Sequence, residues 1–331
     1  MKNMFGVLHS LTDLDLTLLT TFKKIWLDPA NGSDQRDGTT LKTAVATLEQ
    51  AYALATTGKN DTIMLVSDGA STSTARVDTA FTWAKNATHL VGVTPDLILG
   101  QRARIAPNTT TVGASTNKDY VTVTGHGCYF KNIQIWAGFA TGIAATVALA
   151  VSGTRNLFKN CQIVGHADAV SAADTASASL ALKASENQFV DCTIGTDTIL
   201  RSVLNSSVLF SGGAARSMFT NCHFPIYTSD VTSLLLQVRA ASPNGADRET
   251  VFDNCSFMNI TGITSAVTLA AVCKSVASGI NGYFVMKDCV RVGITDWGTD
   301  ATSLAKIQVC GAGTGGTAAD DVGRAAPAVA S

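Results

Sequence analysis

Glutamate is nearly absent from this chain. Only Glu49, Glu186 and Glu249 occur in 331 residues, and charged side chains make up 15% of the whole, so much of the surface must be uncharged. Such a surface suits a protein whose faces are covered by neighbours. The 24 Lys and Arg balance 25 Asp and Glu and are scattered, which argues against the basic field that holds a nucleic-acid backbone. No run approaches ~18 apolar residues, so no helical membrane span is expected. Met1 to Gly6 lacks the apolar stretch of a secretory signal, and the expectation is synthesis in a host cytoplasm. None of the eight cysteines has CxxC or CxxH spacing, so neither zinc nor another cofactor is expected.

What the chain does have is a repeat. A motif of the form aromatic-x-Asn/Asp-Cys-x-apolar returns at Phe158 to Ile163, Phe189 to Ile194, Phe219 to Phe224 and Phe252 to Phe257, with Phe130 to Ile135 carrying Ile133 at the fourth position and a weaker copy at Met286 to Arg291. Measured at the fourth position, the spacings are 28, 31, 30, 33 and 34 residues, one turn of a three-sided coil with loops of variable length. A second alternating strand precedes each copy, as in Val121 to Val123, Leu149 to Val151, Leu180 to Leu182, Val208 to Phe210, Leu234 to Val238 and Val267 to Leu269, and Ile307 to Val309 would close the last coil. Strands this short cannot each bury a face alone. The coils must therefore stack at ~4.8 Å with like residues in register, an all-β solenoid.

Stacking turns sequence positions into columns. The Phe and the residue after the Cys-x pair point inward, and the intervening Asn breaks the period of two, as a bend requires. Asn132, Asn160, Asp191, Asn221, Asn254 and Asp288 then form a ladder at the bend, where stacked amides satisfy one another. Cys161, Cys192, Cys222, Cys255 and Cys289 form an inward ladder of small, soft side chains, read as packing rather than disulfide, metal ligand or nucleophile. Cys128, Cys273 and Cys310 lie off the column and are read as packing too.

The segment ahead of the coils is more specific. Asp28-Pro29-Ala30-Asn31-Gly32-Ser33-Asp34, the Thr47-started run with Leu48, Ala51 and Leu54 at helical spacing, and Asp61-Thr62-Ile63 resemble the opening of pectin-lyase-like right-handed β-helix proteins. The resemblance implies a single-stranded right-handed parallel β-helix over residues 25–310 with an N-terminal helix capping its open end, Thr47 being the N-cap. It leaves an arm at 1–24 and a Gly/Ala-rich tail at 311–331, whose composition needs a partner to become ordered. Asp28, Asn31, Asp34 and Asp37 read as a hydrogen-bonded turn, since they lack the spacing of an EF-hand.

Function is less fixed, because this fold carries lyases, hydrolases and silent virion parts. Its enzymes work from carboxylates on an exposed strand face. The outward column after the Cys reads Gln134, Gln162, Thr193, His223, Ser256 and Val290, and the one before the Asn reads Lys131, Lys159, Val190, Thr220, Asp253 and Lys287. Neither holds two neighbouring acids. If the chain is an enzyme, the fallback catalytic candidates are Asp230 near Arg239, and Asp247 and Glu249 near Arg248. His223, and His166 near Asp168, have no evident acid partner in the pattern. The compact coil with two short arms resembles the tailspike-like trimers that some tailed phages use as capsid cement. The favoured expectation is a virion structural protein, a homotrimer bound to a major capsid or other virion protein through uncharged loops such as Ala167 to Ser179. The alternatives are a polysaccharide lyase or glycosidase of tailspike type, and a carbohydrate-binding β-helix using Trp136, Phe139 or Trp297.

Overall fold

The structure is a computed structural model that describes residues 22–95, 97, 100, 103–108, 119–138, 147–239 and 245–310. Phe139, the tail and all but the last residues of the arm fall outside them. Each coil visits three parallel sheets in turn. Among the described residues, sheet A contains Lys24–Leu27, Asp61–Val66, Thr88–Val93, Tyr129–Lys131, Leu157–Lys159, Gln188–Val190, Ala214–Thr220, Ala246–Asp253, Ile280–Lys287 and Ile307–Cys310, hydrogen-bonded in that order. Sheet B runs Ala75–Arg76, Arg104–Ala106, Gln134–Trp136, Gln162–Val164, Thr193–Ile194, His223–Thr228, Ser256–Asn259 and Val290–Val292, with Thr196–Arg201 added beside His223–Thr228. Sheet C runs Phe81–Trp83, Asp119–Val123, Val147–Val151, Ala178–Leu182, Ser206–Phe210, Leu234–Val238, Leu269–Ser275 and Ile294–Gly298. The chain is a right-handed parallel β-helix, as the thirty-residue repeat implies.

The motif spans two sheets. Its Phe lies in sheet A and its last apolar residue in sheet B, and the Asn between them turns the corner. That corner needs a left-handed backbone: φ is 55° at Asn132, 50° at Asn160, 53° at Asp191, 52° at Asn221, 53° at Asn254 and 51° at Asp288. Asn and Asp tolerate this region better than other side-chain-bearing residues, which is why they recur there. The inward Phe rings then stack coil on coil. Phe130, Phe158, Phe189, Phe219 and Phe252 have successive centroids 4.8, 4.9, 4.8 and 4.8 Å apart with planes within 7° of parallel.

The thiols keep the same register. Each Sγ approaches the carbonyl of the Phe one coil back: Cys161 to Phe130 (3.5 Å), Cys192 to Phe158 (3.4 Å), Cys222 to Phe189 (3.4 Å), Cys255 to Phe219 (3.4 Å) and Cys289 to Phe252 (3.3 Å). Burial pushes the Cys161 and Cys222 thiols well up, so they stay protonated and donate. All eight cysteines are free, and Cys128 and Cys273 are buried like the first four of the column.

The N-terminal end is closed by α1 (Leu48–Leu54), whose Leu48 and Ala51 are buried. Thr47 caps it, accepting from Gln50 N at 3.2 Å, and Asp34 holds Thr47 in place through its backbone N (2.9 Å) and hydroxyl (2.7 Å). Asp28 accepts from the backbone N of Ala30 and Asn31, and Asp37 from that of Thr39, so these carboxylates organise the turn.

Two strand assignments differ from the sequence pattern. Val267 to Leu269 is largely corner: Val267 N donates to Thr228 O, Asn259 Nδ2 donates to Val267 O, and the strand proper is Leu269–Ser275, with Cys273 beside Leu236. Ile307–Cys310 pairs with Ile280–Lys287 in sheet A, so sheet C ends one strand earlier at Ile294–Gly298. In both cases a three-residue alternation fits more than one face of a three-sided coil.

Candidate functional site

The outward column of sheet C is largely apolar, and its middle, Ala150 and Ala181, is fully buried by the chain itself. Register aligns Thr122, Ala150, Ala181, Leu209, Gln237 and Lys274 across successive coils, between inward neighbours such as Val121 and Val123. Val147, Ala150, Ala178 and Ala181 form an apolar cluster separate from the main core, with Leu209 packed against it. Long cationic side chains reach back over two coils at its margin. Lys183 Nζ meets Asp119 Oδ2 at 2.5 Å, and Arg239 donates from Nε to Gln237 Oε1 (2.8 Å) and from Nη2 to Thr175 O. Burial lowers the Arg239 guanidinium from its ordinary range, with Asp174 acting in the opposite direction. Along the aligned column the polar groups are one hydroxyl, one amide and one ammonium, an arrangement that can bind but holds no acid and base in hydrogen-bond reach of one another.

The outer columns of the other sheets have the composition read from the motif. On sheet B, Arg104 Nε donates to Gln134 Oε1 and Gln134 Nε2 to Gln162 Oε1, so these amides form a polar ladder on the outside of the coil. His223 continues it, its Nδ1 2.8 Å from Ser256 Oγ. Burial lowers the His223 pKa, and Asp197 partly offsets this. On sheet A, Lys287 Nζ meets Asp253 Oδ1 at 2.9 Å.

The fallback acids are scattered. Asp230 sits in the corner between His223–Thr228 and Leu234–Val238, where its Oδ1 accepts from Thr232 N and Thr232 Oγ1, both at 2.7 Å. That is a turn-forming role, and the acid acting on Arg239 is Asp174. Asp247 and Glu249 lie on the sheet A strand Ala246–Asp253. Asp247 accepts from Asn281 Nδ2 at 2.8 Å and lies 3.7 Å from Arg248 Nε, while Glu249 is exposed. Asp230 therefore stands on a different side of the coil from Asp247 and Glu249.

The aromatic candidates separate too. Trp297 is buried, edge-on to Phe257 at 5.8 Å, so it is a core residue and not an exposed sugar platform. Trp136 is half-buried, with the Arg104 guanidinium 5.6 Å from its ring. In Ala167 to Ser179, Ser171, Ala172, Ser177 and Ser179 are buried, while Ala169, Val170, Ala173, Thr175 and Ala176 are exposed.

Two groups of residues carry no sequence signal. Asn156, Asn187 and Ser217 form a second, fully buried ladder at the corner from sheet C to sheet A: Cys128 N donates to Asn156 Oδ1 (2.8 Å), Asn156 N to Asn187 Oδ1 (3.0 Å) and Asn187 N to Ser217 Oγ (3.4 Å). Arg155, Glu186 and Arg216 flank it outside, Glu186 pairing with Arg155 Nε at 2.7 Å and with Arg216 Nη2. Among the described residues no group of three or more His, Cys, Asp or Glu is placed to hold a metal ion, and no helix is long and apolar enough to cross a membrane.

No protein-family description matches this sequence, and no curated protein matches it. Solved structures resemble its fold. A pectin methylesterase mutant in complex with a hexasaccharide superposes with a TM-score of 0.57 at 18% identity over 92% of each chain. The pectin methylesterase PemA from Erwinia chrysanthemi gives 0.56 at 15% identity over 90% of this chain and 92% of that one. A pectin methylesterase from Yersinia enterocolitica gives 0.50 at 13% identity over 76% and 81%. The likeness is one of fold, the right-handed parallel β-helix.

Proposed function

We propose that this chain is a structural protein of a phage virion, a trimeric decoration or cement protein that stabilises the head shell. The observation that carries the proposal is the outward column of sheet C, where the aligned positions Thr122, Ala150, Ala181, Leu209, Gln237 and Lys274 include no acid. Pectin-lyase-like enzymes work from carboxylates on an exposed strand face; here the middle of the column is Ala150 and Ala181, both buried by the chain itself. The fallback acids Asp230 and Asp247 are engaged in a turn and in strand-to-strand contacts. Low overall charge supports the same reading, because a protein covered by symmetry mates and a capsid has little need of charged faces. Its partners would be two further copies of the chain and a major capsid protein, and its place the virion. Sedimentation equilibrium of the full-length protein tests the trimer: the mass expected is about 103 kDa, three times the 34.3 kDa chain, and a stable 34.3 kDa monomer opposes it.

A second reading, a carbohydrate-active β-helix, is favoured by one specific observation: pectin methylesterases share the fold over some nine-tenths of both chains. Release of methanol from methyl-esterified pectin, or of new reducing ends or unsaturated products from a polysaccharide panel, would support it. Loss of such an activity in Asp230→Asn, Asp247→Asn or Glu249→Gln would then assign its acid.

A further inference from the structure

The thiol column ends less covered than it begins. Cys161, Cys192, Cys222 and Cys255 are buried, each beneath the next coil, whereas Cys289, the last of them, is half-buried. It leads into Val290–Val292, which among the described residues is the edge strand of sheet B, with Val290 and Val292 exposed.

The chain leaves the described coils beside that edge, and in register. At the bends of the Asn column a backbone N donates to the carbonyl of the residue before the bend on the next coil: Asn160 N to Val190 O (2.9 Å), Asp191 N to Thr220 O (2.9 Å), Asn221 N to Asp253 O (2.9 Å) and Asn254 N to Lys287 O (2.8 Å). Asp288 N does the same to Cys310 O at 2.7 Å, and Cys310 pairs with Lys287. The residue after Cys310 therefore falls on the bend, where every member of the column has a positive φ. It is Gly311, the residue type that meets no steric penalty there.

Counting on from the bend extends the match. Ala312 falls on the thiol column over Cys289, a small side chain where the stack takes small ones, and Gly313 falls over Val290. Thr193 N, His223 N, Ser256 N and Val290 N donate to the carbonyls of Cys161 (2.9 Å), Cys192 (2.8 Å), Cys222 (2.9 Å) and Cys255 (3.0 Å), one coil back. Gly313 N and Cys289 O are the next donor and acceptor of that series. Sheet B then gives way to sheet C at Gly293, whose φ is 69°. Gly293 stands five residues after Asp288, and Gly316 five residues after Gly311.

Two occupants compete for the edge. A second copy stacked head to tail would have to present an open N-terminal end, and that end is closed by α1. The tail needs no encounter, because it is covalently joined at Cys310, where the edge begins. Left open, a parallel edge beside exposed Val290 and Val292 is a template for strands of other chains.

We propose that Gly311 to Gly316 forms a last partial coil on this edge, with Gly311 at the bend, Ala312 over Cys289 and Gly313 N bonded to Cys289 O. The chain's own tail thereby ends the solenoid and shields sheet B from other chains.

Hydrogen exchange of the full-length protein, read by fragment mass, tests this. Amides of Gly313 to Gly316 should exchange about tenfold or more slowly than in a free peptide of the same sequence. Gly311→Asn, which suits the bend, should keep that protection. Gly311→Val, β-branched at a positive φ, should remove it and speed labelling of Cys289 by a thiol reagent about tenfold, with Cys192 unchanged. Exchange of Gly313 to Gly316 at the free-peptide rate, or Cys289 labelling in Gly311→Val equal to that of the wild type, overturns the proposal. Protection that vanishes on dilution assigns the edge to a second copy and overturns it equally.

Discussion

Asn160 and Asp191 occupy the same bend one coil apart, and the carboxylate of Asp191 breaks the amide ladder between them. Asn160 Nδ2 donates to Asn132 Oδ1 (2.9 Å), Asn221 Nδ2 to Asp191 Oδ1 (3.2 Å) and Asn254 Nδ2 to Asn221 Oδ1 (2.9 Å), so each amide points back one coil. The Asp191 side chain has no N–H to give, and the buried Asn160 Oδ1 is left without a donor.

Restoring that donor should stabilise the protein. Asp191→Asn is expected to raise the unfolding free energy by about 1 kcal/mol, read from the urea midpoint at neutral pH. Asn221→Val, which places a β-branched residue at a φ of 52° and removes two ladder bonds, should cost about 2–4 kcal/mol. An unchanged midpoint in both variants would show that the ladder is decoration on a bend fixed by other contacts.

Truncating the ring stack should be more damaging. Phe189 is fully buried between Phe158 and Phe219, and Phe189→Ala is expected to cost about 3–5 kcal/mol. A loss below ~1 kcal/mol, on the same principle, would mean that the rings are not packed as described.

Thiol accessibility should follow the column. Cys289 and Cys310 are half-buried and the other six cysteines buried, so a thiol reagent should modify at most these two in the native protein and all eight after unfolding. Rapid native labelling at Cys192 or Cys222 would contradict the inward ladder.

Acid should destabilise the fold through buried imidazoles. Burial lowers the His89 pKa from 6.5 to about 4, with Asp61 opposing the shift; Tyr129 N donates to its Nδ1 (3.1 Å) and its Nε2 lies 3.2 Å from Asn60 Oδ1. His166 shifts in the same direction. Because the folded state binds the proton more weakly, the unfolded state takes up more protons as pH falls below 6.5. Stability is therefore complete above that pH and declines towards pH 4, by up to about 3 kcal/mol for His89. Urea midpoints across this range check it: His89→Asn should flatten the decline, and a wild-type midpoint constant from pH 7 to 4.5 would oppose it.

The outer ion-pair row should matter little. Glu186→Gln removes both Arg155 and Arg216 contacts, yet these groups are partly in water, so the expected cost is about 0.5–1 kcal/mol at low salt and near zero in concentrated salt. A loss independent of salt would assign Glu186 a packing role instead.

The fold was legible because its bends demand a left-handed residue next to an inward Phe, which prints Asn or Asp beside an aromatic once per coil. Sheet C was harder to read. Its strands alternate apolar residues without a fixed marker, so Val267 to Leu269 looked like a strand when the pairing strand begins at Leu269, and Ile307 to Val309 looked like a sheet C strand when it extends sheet A. The candidate site was less legible still. Ala150 and Ala181 are ordinary in sequence and become informative only when register lines them up on one outer face. Arg201 resembles any arginine at a strand end, and only the folded chain shows it buried with no carboxylate partner among the described residues.

The structural role is tested most directly by cosedimentation of the purified full-length protein with isolated phage capsids. The account predicts saturable binding, in copy numbers that are multiples of three, and capsids that resist heat or low salt better when decorated. Failure to bind any capsid, by a protein that instead turns over a polysaccharide, would contradict it.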